Sequence, residues 1–145
     1  MGVIRKRDGA CFVEIDKTHV DALFGLDRYS HMILCIWFHK NDVPEKRKVL
    51  KVHPRGNKAN PLTGVFATRS PVRPNPIGLF LCRIISIADN IIKIEQIDAF
   101  DGSPVIDIKP YVPRIDSTPD ASVPADRASR PDRVKHGKNG SDIIG

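Results

Sequence analysis

Acidic residues are missing from the middle of this chain: residues 46–88 contain no Asp or Glu. Cysteine is scarce as well, with three residues (Cys11, Cys35, Cys82) far apart and without a CxxC or Cys/His spacing. That pattern points to buried, reduced thiols in preference to a disulfide framework or a zinc site. No apolar run approaches the ~18 residues a membrane-crossing helix needs. The start turns charged at once in Gly2-Val-Ile-Arg-Lys-Arg7, unlike a secretory leader, so neither a membrane nor a leader is expected and a cytoplasmic location is. No GxGxxG follows a strand-like run, which removes a Rossmann-type nucleotide site. No cluster of metal-ligating residues is visible, and no Ser/His/Asp set has a spacing signature, so neither a metal nor a covalent nucleophile is indicated.

The acid-free span is rich in cations. Lys46, Arg47, Lys48, Lys51, Arg55, Lys58, Arg69, Arg73 and Arg83 all fall inside it. The formal net charge is +6. After Ile115 the chain carries five basic residues (Arg127, Arg130, Arg133, Lys135, Lys138) against five acidic ones (Asp116, Asp120, Asp126, Asp132, Asp142), so the excess belongs to the body. A localised basic field points first to nucleic acid, with a small anion or a membrane surface behind it.

The 145 residues are 41% hydrophobic, enough for one core. Residues 10–15, 31–38, 48–53, 77–87, 91–97 and 105–108 read as strands, with residues 31–38 apolar throughout and expected to be buried on both faces. Asp89-Asn90 offers a hairpin turn. One short helix is expected over residues 16–25, with Asp16 or Thr18 at its start and Gly25 at its end. Many strands and one helix predict a mainly β, non-Rossmann small barrel. Residues 1–115 form the expected domain. Residues 116–145, poor in large apolar side chains, form an irregular polar tail expected to be flexible.

Three segments have site-like chemistry. In Gly64-Val-Phe-Ala-Thr-Arg69-Ser-Pro-Val-Arg73-Pro-Asn75-Pro-Ile-Gly78-Leu79, three prolines restrict the loop, which leaves two arginines little freedom to lose on meeting an anion. His39 and Lys40 end the most apolar strand, where a rigid sheet commonly carries a site. Asp101-Gly-Ser-Pro104 is a ready turn followed by Val-Ile-Asp107-Ile-Lys109-Pro-Tyr111, in which Asp107 and Lys109 share a strand face and invite an ion pair.

In that order the segments resemble the TrmO (TsaA-like, YaeB-like) family of tRNA methyltransferases, over roughly residues 8–113. The resemblance implies a small β-barrel that works as a homodimer, binds S-adenosylmethionine outside any Rossmann fold, and methylates N6 of threonylcarbamoyladenosine beside the tRNA anticodon. By motif position the cofactor contacts would be His39, Lys40, Arg69, Leu79, Asp101, Gly102, Ser103 and Pro104, with Ser103 standing where the family has Thr. Lys46, Arg47, Lys48, Arg73 and Asn75 would face RNA. No general base is assigned; Asp107 is the nearest candidate. Relatives begin with a further strand and a Pro-Arg-Gln-like segment that touches the cofactor. Arg5, Lys6 and Arg7, expected to precede the first strand, or the tail around Arg127 to Arg133, would substitute for it. The alternative reading is a basic tRNA- or cofactor-binding module without transfer activity.

Overall fold

The computed structural model describes residues 1–128. Its centre is a closed antiparallel barrel of strands β1 (Gly2–Arg7), β2 (Ala10–Ile15), β3 (His31–Trp37), β6 (Ile77–Ala88), β7 (Ile91–Ile94) and β8 (Pro104–Pro110), in the order β1-β2-β7-β6-β3-β8. Pairing of β8 with β1 closes the ring and removes open sheet edges. A separate two-stranded sheet pairs β4 (Lys51–Val52) with β5 (Thr63–Gly64). The mainly β, non-Rossmann barrel expected from the sequence is therefore the observed fold.

Strand alternation fills the barrel. Ile4, Cys11, Val13, Met32, Leu34, Ile36, Ile92 and Ile94 point inward and are buried. Leu23 and Leu26 close one end from two 3-10 turns, Lys17–Leu23 and Leu26–Arg28. The expected helix over residues 16–25 thus forms as 3-10 turns. Asp16 stands at the N-cap without a side-chain capping bond, and Gly25 takes φ 88° between the turns.

Several expectations are corrected. The continuous apolar run of β3 is buried on its inner face only; Ile33, Cys35 and Trp37 lie half-buried outside, because a barrel has one interior. Cys11 and Cys82 are buried, whereas Cys35 is half-exposed on that outer face. The strand expected over residues 48–53 shrinks to β4, because Pro44 starts helix α1 (Pro44–Arg47) just before it and Pro54 stops it. β7 ends at Ile94, and the β6–β7 register shifts between Ile84 and Ser86. Gly2–Arg7 is itself a strand, so Arg5, Lys6 and Arg7 belong to β1 and do not precede the first strand. Gly2 and Ile4 face the core while the charged residues lie outside it. The Asp89-Asn90 hairpin forms, with Asp89 at φ 52° and Asn90 bonded in both directions to the backbone of Ile15.

After β8 come two single-turn helices, α2 (Pro113–Asp116) and α3 (Ala125–Ala128). The remainder of the expected tail, with Arg130 and Arg133, lies outside the described residues. No helix among the described residues is long and apolar enough to cross a membrane.

Candidate functional site at one end of the barrel

β3 runs antiparallel to both β6 and β8, so its C-terminal end meets their N-terminal ends: Trp37 pairs with Ile77, and Ile36 with Val105. Three chain-distant segments therefore gather there: the 3-10 turn His39–Asn41 after β3, the Arg69 to Pro76 loop before β6, and the Asp101 to Ser103 turn before β8. All three were singled out from the sequence. Their meeting is a consequence of the barrel.

The turn before β8 is held by β1. The Gly102 amide donates to the Ile4 carbonyl at 2.7 Å, the Ile4 amide to the Ser103 carbonyl at 2.9 Å, and the Lys6 amide to Asp101 Oδ1 at 2.9 Å. Gly102 has φ 83°, which a side chain would strain. Ser103 is buried and its hydroxyl donates to the Phe100 carbonyl at 2.7 Å. Lys40 joins this turn to the β3 end: its ammonium sits 4.2 Å from the centre of the Phe100 ring, a cation–π contact. Within His39, Nδ1 is buried and lacks a hydrogen-bond partner among the described residues. A buried ring nitrogen without a partner is costly, so His39 has a polar valence to offer a ligand.

The Pro/Arg loop is rigid by construction. Arg73 Nη1 donates to the carbonyls of Thr68 and Ser70, both at 3.1 Å. Thr68 and Ser70 are buried, and the Thr68 hydroxyl bonds the Val65 carbonyl at 2.8 Å. Arg47 locks the loop from α1: Nε donates to the Pro74 carbonyl at 2.7 Å, Nη2 to Asn75 Oδ1 at 2.9 Å and Nη1 to Asp42 Oδ1 at 3.1 Å. Its guanidinium also lies 5.7 Å from the Trp37 ring centre, and Trp37 Nε1 donates to Asp42 Oδ2 at 3.0 Å. Lys46 Nζ donates to Asn41 Oδ1 at 3.2 Å. In contrast, the Arg69 side chain is exposed and makes no hydrogen bond or ion pair among the described residues, and the same holds for the side chains of Lys48, Lys51, Arg55 and Lys58. The basic span thus divides: Arg47 and Arg73 fasten the loop, Lys46 holds the turn after β3 through Asn41, and Arg69, Lys48, Lys51, Arg55 and Lys58 leave their charge available.

Gly78 fixes how the two segments meet. A Cβ there would stand 2.4 Å from the Phe38 ring, so only glycine lets the ring cover β6 beside His39. Leu79 is half-exposed on the outer face of β6, opposite Cys35. Pro104 opens β8 and pairs with Val3. Of the N-terminal cations, Arg5 pairs with Glu14 at 3.6 Å and Lys6 Nζ donates to the Ile97 carbonyl at 2.7 Å.

Asp107 is bound to Lys109 through Oδ2 and Nζ at 2.9 Å, the pair expected from the strand period. That hydrogen bond holds its carboxyl below the usual range, the wrong direction for a base working near neutrality. A cavity of about 420 Å3 opens at the other end of the barrel, lined by Ile15, Leu23, Phe24, Tyr29 and Ile108 among others. Of the candidate residues only Asp107 borders it. The sequence marks Trp37 to Asp42 as a polar cluster at a strand end but gives no role to Trp37, Asn41 or Asp42 singly, and it passes over Phe66. The hydrogen-bonded cluster around Arg47 had no sequence signal, but Phe66 beside Arg69 did.

Comparison with known proteins gives a consistent picture. The tRNA-methyltransferase O N-terminal domain family matches residues 4–117. A probable S-adenosyl-L-methionine-binding protein of Methanocaldococcus jannaschii is 48% identical over 116 residues, covering 80% of this chain and 92% of that protein. The tRNA (adenine(37)-N6)-methyltransferase of Escherichia coli K12 is 36% identical over 125 residues, covering 83% of this chain and 52% of that enzyme. A crystal structure of TrmO from Pseudomonas aeruginosa superposes with a TM-score of 0.62 at 30% identity, covering 83% of this chain and 58% of that one. This chain therefore spans little more than half the length of those two bacterial proteins.

Proposed function

This chain belongs to the tRNA-methyltransferase O family, and we propose that it is an S-adenosylmethionine-dependent methyltransferase modifying N6 of threonylcarbamoyladenosine beside the tRNA anticodon. The observation that carries the reading is the convergence of His39 and Lys40, Arg69, and the Asp101 to Pro104 turn at one end of the barrel, with Arg69 free of any ion pair among the described residues.

The residues present fit such a cofactor. Arg69 offers an unpaired guanidinium to its carboxylate, the orphaned His39 Nδ1 offers a hydrogen bond, and half-exposed Leu79 offers apolar surface. Gly102, Ser103 and Pro104 form a turn whose shape is fixed before any ligand arrives, which lowers the entropy lost on binding. When bound, the cofactor supplies an electrophilic methyl group on a sulfonium sulfur. The N6 lone pair of adenosine is delocalised into the ring, so alignment in a dry pocket is the main contribution asked of the protein. Lys48, Lys51, Arg55 and Lys58 would meet phosphates, while Arg47, Arg73 and Asn75 act on RNA by holding the loop that carries Arg69, and Lys46 by holding Asn41 in the turn that carries His39 and Lys40.

The proposal extends to a homodimer in the cytoplasm, with residues 1–115 as the working unit and residues 116–145 as an appended segment. Leu79, Leu81 and Ile85 on β6 and Ile106 on β8 leave the outer barrel face apolar, which supports a subunit contact. A second reading, a cofactor-binding module without transfer, is favoured by one observation. The M. jannaschii relative, named for binding alone, matches this chain over 92% of its own length, against 52% for the E. coli enzyme.

The deciding experiment incubates the purified chain with methyl-labelled S-adenosylmethionine and tRNA bearing the threonylcarbamoyl group, then digests the RNA for nucleoside mass spectrometry. A methylated product in the wild type and a strong loss in Arg69→Ala are expected. Tight cofactor binding with no methylated nucleoside would establish the module instead.

A further inference from the structure

Phe66 is 82% exposed, an unusual setting for a phenylalanine in a part of the chain that is otherwise well anchored. It occupies the middle of the 3-10 turn Val65–Ala67. Val65 beside it is buried and its amide donates to the Leu50 carbonyl at 2.9 Å. Thr68 on the other side is buried, with both its amide and its hydroxyl bonded to the Val65 carbonyl. The turn closes on its own hydrogen bonds and aims the ring outward, so core packing does not account for it.

Two free cations stand close to Phe66 along the backbone. Arg69 follows three residues later, and Lys51 pairs across the small sheet with Gly64, two residues before Phe66. Neither side chain has a hydrogen bond or ion pair among the described residues, and residues 46–88 hold no acid. An exposed aromatic ring flanked by unpaired cations is the combination that binds unpaired nucleotides, the ring stacking on a base while the cations hold its phosphates. A second copy of this chain is a poor occupant for the same patch. In an isologous contact the patch meets itself, which would set Arg69 and Lys51 against their own like charges.

We propose that Phe66 is a base-stacking residue that positions an unpaired nucleobase of the substrate RNA next to Arg69. The inference rests on the RNA-methyltransferase reading above and adds a residue that reading does not use. No charge is involved, so the contribution is insensitive to salt and depends on the presence of a base.

The test measures binding of an anticodon stem-loop RNA, intact and with single loop bases removed, to the wild-type chain and to Phe66→Ala, Phe66→Leu and Phe66→Trp. Loss of one aromatic–base stack corresponds to a weakening of about 5- to 150-fold in the Ala variant. Leu, which keeps bulk without a π face, should weaken binding similarly, and Trp should retain it. The slope of log affinity against log salt should stay that of the wild type. Removing the stacked base should weaken wild-type binding yet cost the Ala variant little further, since both changes break one contact. Equal affinity of the wild type and Phe66→Ala for intact RNA overturns the inference and leaves the RNA reading standing. A change of sedimentation in Phe66→Ala also overturns it, by assigning the ring to a contact between copies. A wild type that binds no RNA at all refutes the methyltransferase reading and this inference together.

Discussion

Replacing Arg47 separates a cation that holds the fold from one that touches RNA. Arg47→Ala removes three hydrogen bonds, to Pro74, Asn75 and Asp42, together with the guanidinium over Trp37. The bond to the Pro74 carbonyl is short, partly buried and charge-assisted, and is worth about 1–1.5 kcal/mol once its partial exposure is allowed for. The Asp42 ion pair is 39% exposed on both sides, so water screens it to about 0.5 kcal/mol. The Asn75 bond and the ring contact add about 0.5 kcal/mol each. Together these predict about 2.5–3 kcal/mol of destabilisation, or a fall of about 5–10 °C in melting temperature for a chain of this size. Because Pro74 and Asn75 lie in the loop that carries Arg69, cofactor affinity should fall as well. The assays are thermal unfolding by circular dichroism, calorimetric titration with S-adenosylmethionine, and RNA binding over a salt series. Arg47→Lys keeps the charge but not the planar fork, so it should recover little of the lost melting temperature. The reasoning is refuted if Arg47→Ala melts like the wild type while the salt slope of RNA binding falls by about one, the signature of a lost phosphate contact.

Gly78→Ala places a methyl group against the Phe38 ring, so it should destabilise the fold and disturb His39 and cofactor binding together; normal stability and titration would contradict the packing described. Gly102→Ala meets no atom within 4 Å, so its cost should be the backbone term alone, about 1–2 kcal/mol for a non-glycine residue at positive φ, read from denaturant unfolding. Burial raises all three thiols, Cys82 to about 12, and only Cys35 is half-exposed. Alkylation of the native protein at mildly alkaline pH should therefore label Cys35 first, with Cys11 and Cys82 reacting after unfolding, as peptide mass mapping would show. The bond to Lys109 lowers the Asp107 carboxyl below 3.8, so its small stabilising contribution is present above that value and disappears as the pH falls through the lowered one; the bond raises Lys109 above 10.5, so the same pair weakens again as the pH rises through that higher value. Carboxyl chemical shifts of Asp107 in wild type and Lys109→Ala check the sign, since the variant should titrate higher.

Strands whose apolar residues dominate their surroundings could be read from the amino-acid order. β2, β3, β6 and β8 were legible because β-branched and apolar runs bounded by turn residues have few other stable forms, and Asp89-Asn90 marked its own hairpin. The same locality made the Pro/Arg loop and the Asp101 to Pro104 turn readable as site material, since proline and glycine restrict the backbone wherever they stand. β1 was passed over because its outward Arg5 and Arg7 hid the alternation of Gly2 and Ile4. The two-sided burial expected of β3 failed because a hydrophobic run does not say whether a second layer covers its outer face. The folded barrel was needed to bring His39, Arg69 and the β8 turn to one end, since that follows from antiparallel pairings between residues far apart in the chain. It also decided which cations are available. Arg47, Arg69 and Arg73 are alike as letters, but the Arg47 side chain meets a carbonyl group across the fold, that of Arg73 meets two within its own loop, and that of Arg69 meets none among the described residues. Hydrogen-bond partners are set by where loops come together, and that is fixed by the barrel.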